Sequence, residues 1–368
     1  MQNEKNKHHR RNKGKMSLRK KIILGTLAGM LLLVFSVVIY GYIKLDSIFD
    51  DSIPIVTKGT EQTREPEPSL DPIDDTDEVP EDLKQDSTDE IGVDKDPIYK
   101  QPSISKDVVN VLLIGDDTRN INQRGRSDSM MLISYNEKTK QIYMTSFLRD
   151  IWVYIEGRGY NRLNAAYAFG GPGLLINTIN DNFGLDIQNY VVGGFSALVD
   201  VINILGGVEI TLTKEEAAYL NKNPRQSEGY DLSPFPALVA GTQTINGVQA
   251  LVHSRNRYVG SADFERVRRQ KEVLFAAFSK LKKNPSISNV TDTINVALKN
   301  VKTNMKPSEI VSLGVECVTG ADITFEQHTV PAKGTWKYAK IEGRSVVQVD
   351  LKKNEKLLKD LIYPKTEG

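Results

Sequence analysis

An α/β domain with a mixed sheet is the fold class this sequence predicts, and three observations carry that prediction. Short apolar runs of strand length at residues 108–114, 130–135 and 141–147 give way further on to alternating helical and strand patterns. The stretch holding them is about 260 residues long, enough for one large domain or two small ones, with no internal repeat and no second linker. A single cysteine, Cys317, excludes an internal disulfide framework, so the domain depends on an ordinary hydrophobic core. Its neighbours Leu313, Val315 and Val318 predict a buried structural thiol.

Residues 130–135 and 141–147 flank the polar turn Asn136-Glu137-Lys138-Thr139-Lys140 and read as a hairpin. Helical patterns follow at about 163–169 and 174–182, then a strand near Tyr190 and a helix over 195–205. Gly206-Gly207 stops that helix and turns the chain into a strand at 208–212. Segments 247–256 and 263–283 read as helical, as does a Pro-led segment over 307–317. Strands near 323–330 and 346–350 precede a final helix. Phe169, Leu174, Leu175, Ile176, Ile179, Phe183, Phe195, Leu198 and Ile202 form apolar stripes that would line a core as readily as a cavity.

Ahead of this domain the charges are segregated, and the formal net charge of +1 is only their cancellation. Residues 1–21 carry nine Lys or Arg against one Glu. Residues 22–43 then run twenty-two positions without a charge, long enough to span a bilayer. A cleaved signal peptide would have a shorter apolar region, and no small-residue cleavage pattern follows at Lys44-Leu45-Asp46-Ser47. The basic flank predicts a cytoplasmic N-terminus, with everything after residue 43 outside the cell. Residues 61–96 carry fifteen acids and three basic residues, with Pro66, Pro68, Pro72 and Pro80 among them. Such a segment buries too little to fold, so residues 44–105 read as an extended spacer and 106–368 as the folded domain.

Within that domain, arginines and aspartates crowd into the segments 115–150 and 253–270, each cluster just past an apolar run, where α/β sheets place ligand groups. Arg119, Arg126, Arg149, Arg255, Arg257, Arg266 and Arg269 offer planar, permanently charged forks that match phosphate oxygens in pairs. On the helix from Asp263, Arg266, Arg269 and Gln270 share a face, while Arg268 is offset and reads as a solvated charge. Asp117 and Asp128 suit a hard divalent ion such as Mg²⁺ or Mn²⁺, which completes its shell with water and phosphate. Gly-Asp-Asp and Ser-Asp-Ser are equally good turn and cap sequences, so both readings stand.

Other chemistries lack their signatures. There is no Walker loop, dinucleotide fingerprint, Gly-x-Ser-x-Gly elbow or paired-His zinc spacing. His253 and His328 stand alone and read as structural. Aromatic residues are sparse among the arginines, and the predicted topology puts those arginines outside the cell, so nucleic acid is not an expected partner.

The segments 114–119 (IGDDTR), 125–131 (GRSDSMM), 146–150 (SFLRD), 162–171 (RLNAAYAFGG) and the run from Arg255 through Asp263 to Gln270 together resemble the LytR-CpsA-Psr family of cell-envelope proteins. The resemblance covers about residues 107–283, in order and at compatible spacings, and the anchor-plus-spacer arrangement is also similar. It implies a three-layer α/β/α sandwich with a polyprenyl chain held between sheet and helices. It also implies transfer of a glycopolymer (teichoic acid, capsule or another anionic polysaccharide) from polyprenyl pyrophosphate to a muramic acid hydroxyl of peptidoglycan. By resemblance, Asp117 and Asp128 hold the metal, and Arg119, Arg126, Arg149, Arg255, Arg257, Arg266, Arg269 and Gln270 surround the phosphates, with Arg149, Arg255, Arg257 and Asp128 in the catalytic role. Leu148 stands where proline is common, His253 where an aromatic is common and Glu265 where glycine is common. Asp117 fits the Gly-x-Asp-x-Arg spacing better than Asp116. Asp150 and Asp263 are candidates for a general base by position alone. A lipid pyrophosphatase or lipid-binding protein using the same site, and a non-enzymatic envelope regulator, are the alternatives.

Overall fold

The computed structural model describes residues 55–56, 58, 97–116, 127–225, 227, 229–260 and 262–364, all in the compact unit Ile48–Gly368. The basic tail, the apolar run 22–43 and the candidates Asp117, Arg119 and Arg126 lie outside these residues. Among the described residues, no helix is long and apolar enough to cross a membrane.

In chain order the strands are β1 (Ile55–Val56), β2 (Ile98–Tyr99), β3 (Val108–Asp116), β4 (Ser127–Asn136), β5 (Gln141–Phe147), β6 (Trp152–Ile155) and β7 (Gly159–Arg162). They continue with β8 (Asn189–Gly193), β9 (Val208–Leu212), β10 (Gly241–Ile245), β11 (Val301–Thr303), β12 (Thr324–Val330), β13 (Trp336–Ile341) and β14 (Arg344–Val349). The helices are α1 (Leu163–Phe183), α2 (Phe195–Ile204), α3 (Lys214–Lys222), α4 (Gly247–Arg255), α5 (Ala262–Lys283), α6 (Ile287–Ala297), α7 (Pro307–Thr319) and α8 (Leu351–Ile362).

Six strands form the central sheet in the order β11-β8-β3-β4-β5-β12. β4 lies antiparallel between β3 and β5, whereas β8 runs parallel to β3 and β12 parallel to β5, so the sheet is mixed as the sequence predicts. The β4–β5 hairpin turns where expected, because the Asn136 Oδ1 accepts from the backbone N–H groups of Lys138 and Thr139, both at 3.0 Å.

Alternation along the strands divides the core. Leu112, Ile114, Met130, Leu132, Tyr190 and Val192 pack with Leu175, Ile176, Ile179 and Phe183 of α1 and with Leu358 and Ile362 of α8. The intervening residues Leu113, Met131 and Val191 face the opposite way, toward α2, α4 and α5. Helices therefore cover both faces. Ile202, Ile210, Leu220, Ala250, Val252 and Val273 build a second cluster among α2–α5 and β9.

The two helical patterns before residue 183 are one helix with a kink. Gly171 takes φ 72° and ψ −158° there, and Pro172 follows with no N–H to give. Cys317 is half-buried beside Leu313, Phe278 and Phe325, and burial pushes its thiol up to about 12. Part of the expected spacer is docked: β1 pairs in parallel with β2, and Lys58 Nζ lies 2.8 Å from Asp181 and 3.2 Å from Glu156. The fold therefore starts before residue 106.

Candidate functional site

A cavity of about 490 Å³ opens between the sheet and helices α2, α4 and α5. Its floor is set by register: Leu113 of β3 pairs with Met131 of β4 on one side and Val191 of β8 on the other. Leu198 and Val201 of α2, Leu251 of α4 and Leu274 of α5 supply the facing apolar wall. Toward the strand ends the next row facing the cavity, Ser129, Gly115 and Gly193, is made of small residues. A Cβ on Gly115 would lie 2.9 Å from the Ser129 Cβ, so the narrow side chain there is required.

Past that row the lining becomes charged and polar: Asp128, Arg255, Arg257, Arg266 and the neutral Gln270 edge the same cavity. Asp128 reaches it through a register shift. Gly115 pairs with Ser129 and Asp116 with Ser127, so Asp128 is the unopposed residue of a bulge, which re-aims its side chain. Arg255 ends α4, and its guanidinium lies 3.8 Å from the Phe195 ring centroid, a cation–π contact at the start of α2. Arg266 and Gln270 share one face of α5, as their spacing predicts.

Arg149 does not line the cavity; it stands behind Asp128, buried at 4% exposure. Its Nη1 donates to Asp128 Oδ1 at 2.9 Å, and its Nε lies 3.3 Å from Asp150 and 3.4 Å from Asp263. Arg266 joins the network through Asp263 at 3.1 Å and Asp128 at 3.9 Å, and Arg162 through Asp150 at 3.4 Å. The loop that carries Arg149 is held by the Leu148 N–H, which donates to the Val330 carbonyl at 3.0 Å. A proline could not make that bond, which gives the leucine here a physical reason.

The network sorts its carboxylates. Burial acts to raise Asp128, but the Arg266, Arg149 and Arg255 guanidinia outweigh it and hold the carboxyl below the usual range. Asp263 is likewise held low against its burial by Arg266 and Arg149, with a hydrogen bond from Asp150. Burial pushes Asp150 up to about 7, with the Asp263 charge adding to it and Arg149 and Arg162 opposing. Within this pair Asp150 is therefore the weaker acid and Asp263 the stronger.

Arg269 corrects the sequence reading. Instead of facing phosphate it is buried, with Nε on Glu216 at 2.7 Å, Nη1 on the Asn256 carbonyl at 2.6 Å and Nη2 on the Val259 carbonyl at 2.7 Å. All three guanidinium nitrogens are committed, Nη1 and Nη2 to the loop between α4 and α5 and Nε to Glu216 of α3. Arg268 is half-exposed and paired with Glu265, Glu272 and Glu216, so it is tied to the protein surface and not simply solvated. His253 is fully buried, 3.6 Å from Glu272, a structural position.

For a divalent ion, Asp128 offers one hard carboxylate at the cavity edge, and no group of three or more potential ligands occurs among the described residues. Asp116 is not a natural second ligand, because it is buried with the Tyr167 hydroxyl donating to it at 2.7 Å, on the α1 side of the sheet. Such a donor set fits an ion that takes most of its shell from phosphate and water.

The apolar helical residues divide. Phe195 and Leu198 line the cavity, whereas Leu174, Leu175, Ile176, Ile179 and Phe183 belong to the core beyond the sheet. Glu216 escaped sequence reading as a site-supporting residue, although Thr213-Lys214-Glu215-Glu216 carries a capping-box signature that marks its helix.

Residues 77–362 match the model of the LytR_cpsA_psr family. The chain belongs to this family. A relative in Bacillus subtilis (strain 168), the polyisoprenyl-teichoic acid–peptidoglycan teichoic acid transferase TagT, is 27% identical over 314 residues, covering 84% of this chain and 85% of the relative. Biofilm regulatory protein A of Streptococcus mutans serotype c is 35% identical over 211 residues, 54% of this chain and half of that protein. Among solved LytR_cpsA_psr structures, TagT with bound octaprenyl pyrophosphate lipid is 25% identical with a TM-score of 0.54, covering 74% of this chain and 96% of that one.

Proposed function

We propose that this protein binds a polyprenyl-pyrophosphate-linked glycopolymer and transfers the polymer to a muramic acid hydroxyl of peptidoglycan, leaving a phosphodiester. The polymer class is teichoic acid, capsule or a related anionic polysaccharide. The observation that carries the reading is one cavity with an apolar floor and an arginine-rich mouth. An isoprenoid buried along Leu113, Met131, Val191 and Leu198 gains about 25 cal/mol per Å² of apolar surface, while the arginines fix the head group. The transferase name of the B. subtilis relative and the lipid in the TagT structure support the same assignment.

In the reaction, the acceptor hydroxyl oxygen bonds to the polymer-side phosphorus as the bond from that phosphorus to the bridging oxygen breaks. Polyprenyl phosphate leaves with the electron pair. Arg255, Arg257 and Arg266 face the pyrophosphate and spread its charge, and Phe195 keeps Arg255 aimed. Arg149 acts one step back, holding Asp128 in place. The hydroxyl proton passes to water or to the departing polyprenyl phosphate, since a loose transition state needs little help from a base. Asp128, with Asp117 by the resemblance, would hold Mg²⁺ or Mn²⁺, and such an ion would supply further neutralisation of the pyrophosphate charge. Residues 22–43 anchor the chain in the cell membrane with the domain outside.

The regulatory name of the S. mutans relative favours one other reading, in which the outer domain senses lipid without turnover. Product analysis separates them. Full-length protein in detergent, with Mg²⁺, the lipid-linked glycan and uncross-linked peptidoglycan, is expected to yield a phosphodiester conjugate that EDTA abolishes. Free glycan phosphate would indicate a hydrolase, and unreacted lipid a sensor.

A further inference from the structure

The loop that Arg269 clamps presents an aromatic ring at the cavity mouth. Tyr258 is 63% exposed there, beside Arg257. Its backbone is fixed on both sides: its N–H donates to Asn256 Oδ1 at 3.0 Å, and Arg269 grips the carbonyls of Asn256 and Val259. The Arg269 guanidinium is in turn set by Glu216, buried at 1% exposure, whose second oxygen accepts the Thr213 N–H at 2.9 Å and so starts α3. Three residues after Glu216 the same helix carries Tyr219, and its ring stacks on Tyr258 with centroids 5.5 Å apart and planes 23° apart. The close approach is also felt at the Tyr219 phenol, raised by burial and by Tyr258. One helix thus sends a carboxylate inward to fix the loop and a ring outward to back its tyrosine.

We propose that Tyr258, backed by Tyr219, is a stacking platform for the first sugar of the lipid-linked polymer, the pyranose joined directly to the pyrophosphate. This rests on the lipid-pyrophosphate reading of the cavity. With the isoprenoid at the apolar end and the phosphates among the arginines, the group on the far side of the phosphates must lie at the mouth. A pyranose presents a flat face of C–H groups there, and an exposed aromatic ring backed by a second ring matches it. The rigid clamp lowers the entropy lost on binding, because the ring is ordered before the sugar arrives.

The test is calorimetric binding of two probes to the detergent-solubilised full chain: polyprenyl pyrophosphate, and the same lipid carrying one N-acetylglucosamine on the pyrophosphate. Tyr258→Ala is expected to weaken the sugar-bearing probe on the order of tenfold while the bare lipid stays within about twofold, and Tyr258→Phe is expected to keep both. Equal weakening of both probes, or no weakening, overturns the platform. A Tyr258→Phe loss as large as that of Tyr258→Ala overturns stacking in favour of the hydroxyl. Wild type binding neither probe is a separate result, and it overturns the lipid reading beneath the proposal.

Discussion

At the scale of single residues, the arginines of this site are not interchangeable. Arg149 compensates Asp128, Asp150 and Asp263 from a buried position, so Arg149→Ala leaves carboxylates unpaired and is expected to cost about 3–5 kcal/mol of stability along with transfer. Arg255 sits half-buried over Phe195 at the cavity edge, so Arg255→Ala is expected to abolish transfer with little change in melting temperature. Thermal melts of the two variants check this, and equal melting temperatures would show that the Arg149 network carries little. Asp150 gives a pH signature. Its carboxyl is raised from 3.8 to about 7 in the fold, so its contribution to stability is complete below the ordinary value and is lost as pH rises through about 7. Asp128 and Asp263, held low, have the opposite sign and contribute above the ordinary carboxylate range. The stability of Asp150→Asn relative to wild type should therefore rise between pH 4 and pH 7 in paired denaturant titrations. The charge clustering was legible in the sequence, but the assignment within it was not. Arg266, Arg269 and Gln270 share a helical face, and only the fold shows that two loop carbonyls and Glu216 take Arg269 away from the mouth.

Among the elements, the strands with strict apolar patterns were the most legible, and β5 and β9 have the limits their sequences predict. The β6–β7 hairpin and β13 were not foreseen, because they pair outside the central sheet in short runs interrupted by Tyr and Lys. The cavity was not legible either. Leu175 and Leu198 look alike as helical apolar residues, and only strand alternation assigns α1 to one face and α2 to the other. This difference can be measured. Leu198→Trp should fill the cavity and weaken polyprenyl-pyrophosphate binding at least about tenfold with the fold retained, whereas Leu175→Ala should cost about 2–5 kcal/mol and leave binding by the folded protein intact. Gly247 adds a packing test between α4 and α2. A Cβ there would lie 2.3 Å from the Val199 carbonyl oxygen, so Gly247→Ala is expected to cost about 1–3 kcal/mol by forcing the two cavity-wall helices apart.

In the whole molecule, a basic tail, an apolar run and an acidic spacer precede in sequence an α/β domain whose charged end gathers the carboxyl ends of β3, β5 and β8 with the start of β4. Deleting residues 1–21 while keeping the run 22–43 should leave transfer by the outer domain unchanged, and its loss would favour a regulator working through the tail. The domain class and its charged end followed from pattern, whereas the depth and direction of the cavity depend on register between strands far apart in sequence. Photo-crosslinking tests whether the lipid lies, as proposed, between the sheet and α2, α4 and α5. A polyprenyl pyrophosphate with a photoreactive group in its isoprenoid chain, crosslinked to the full-length protein and mapped by peptide mass spectrometry, should label Leu113, Met131, Val191, Leu198, Leu251 and Leu274. Labelling of Leu175, Ile179 and Phe183 on the α1 face, or of the outer surface alone, would contradict it.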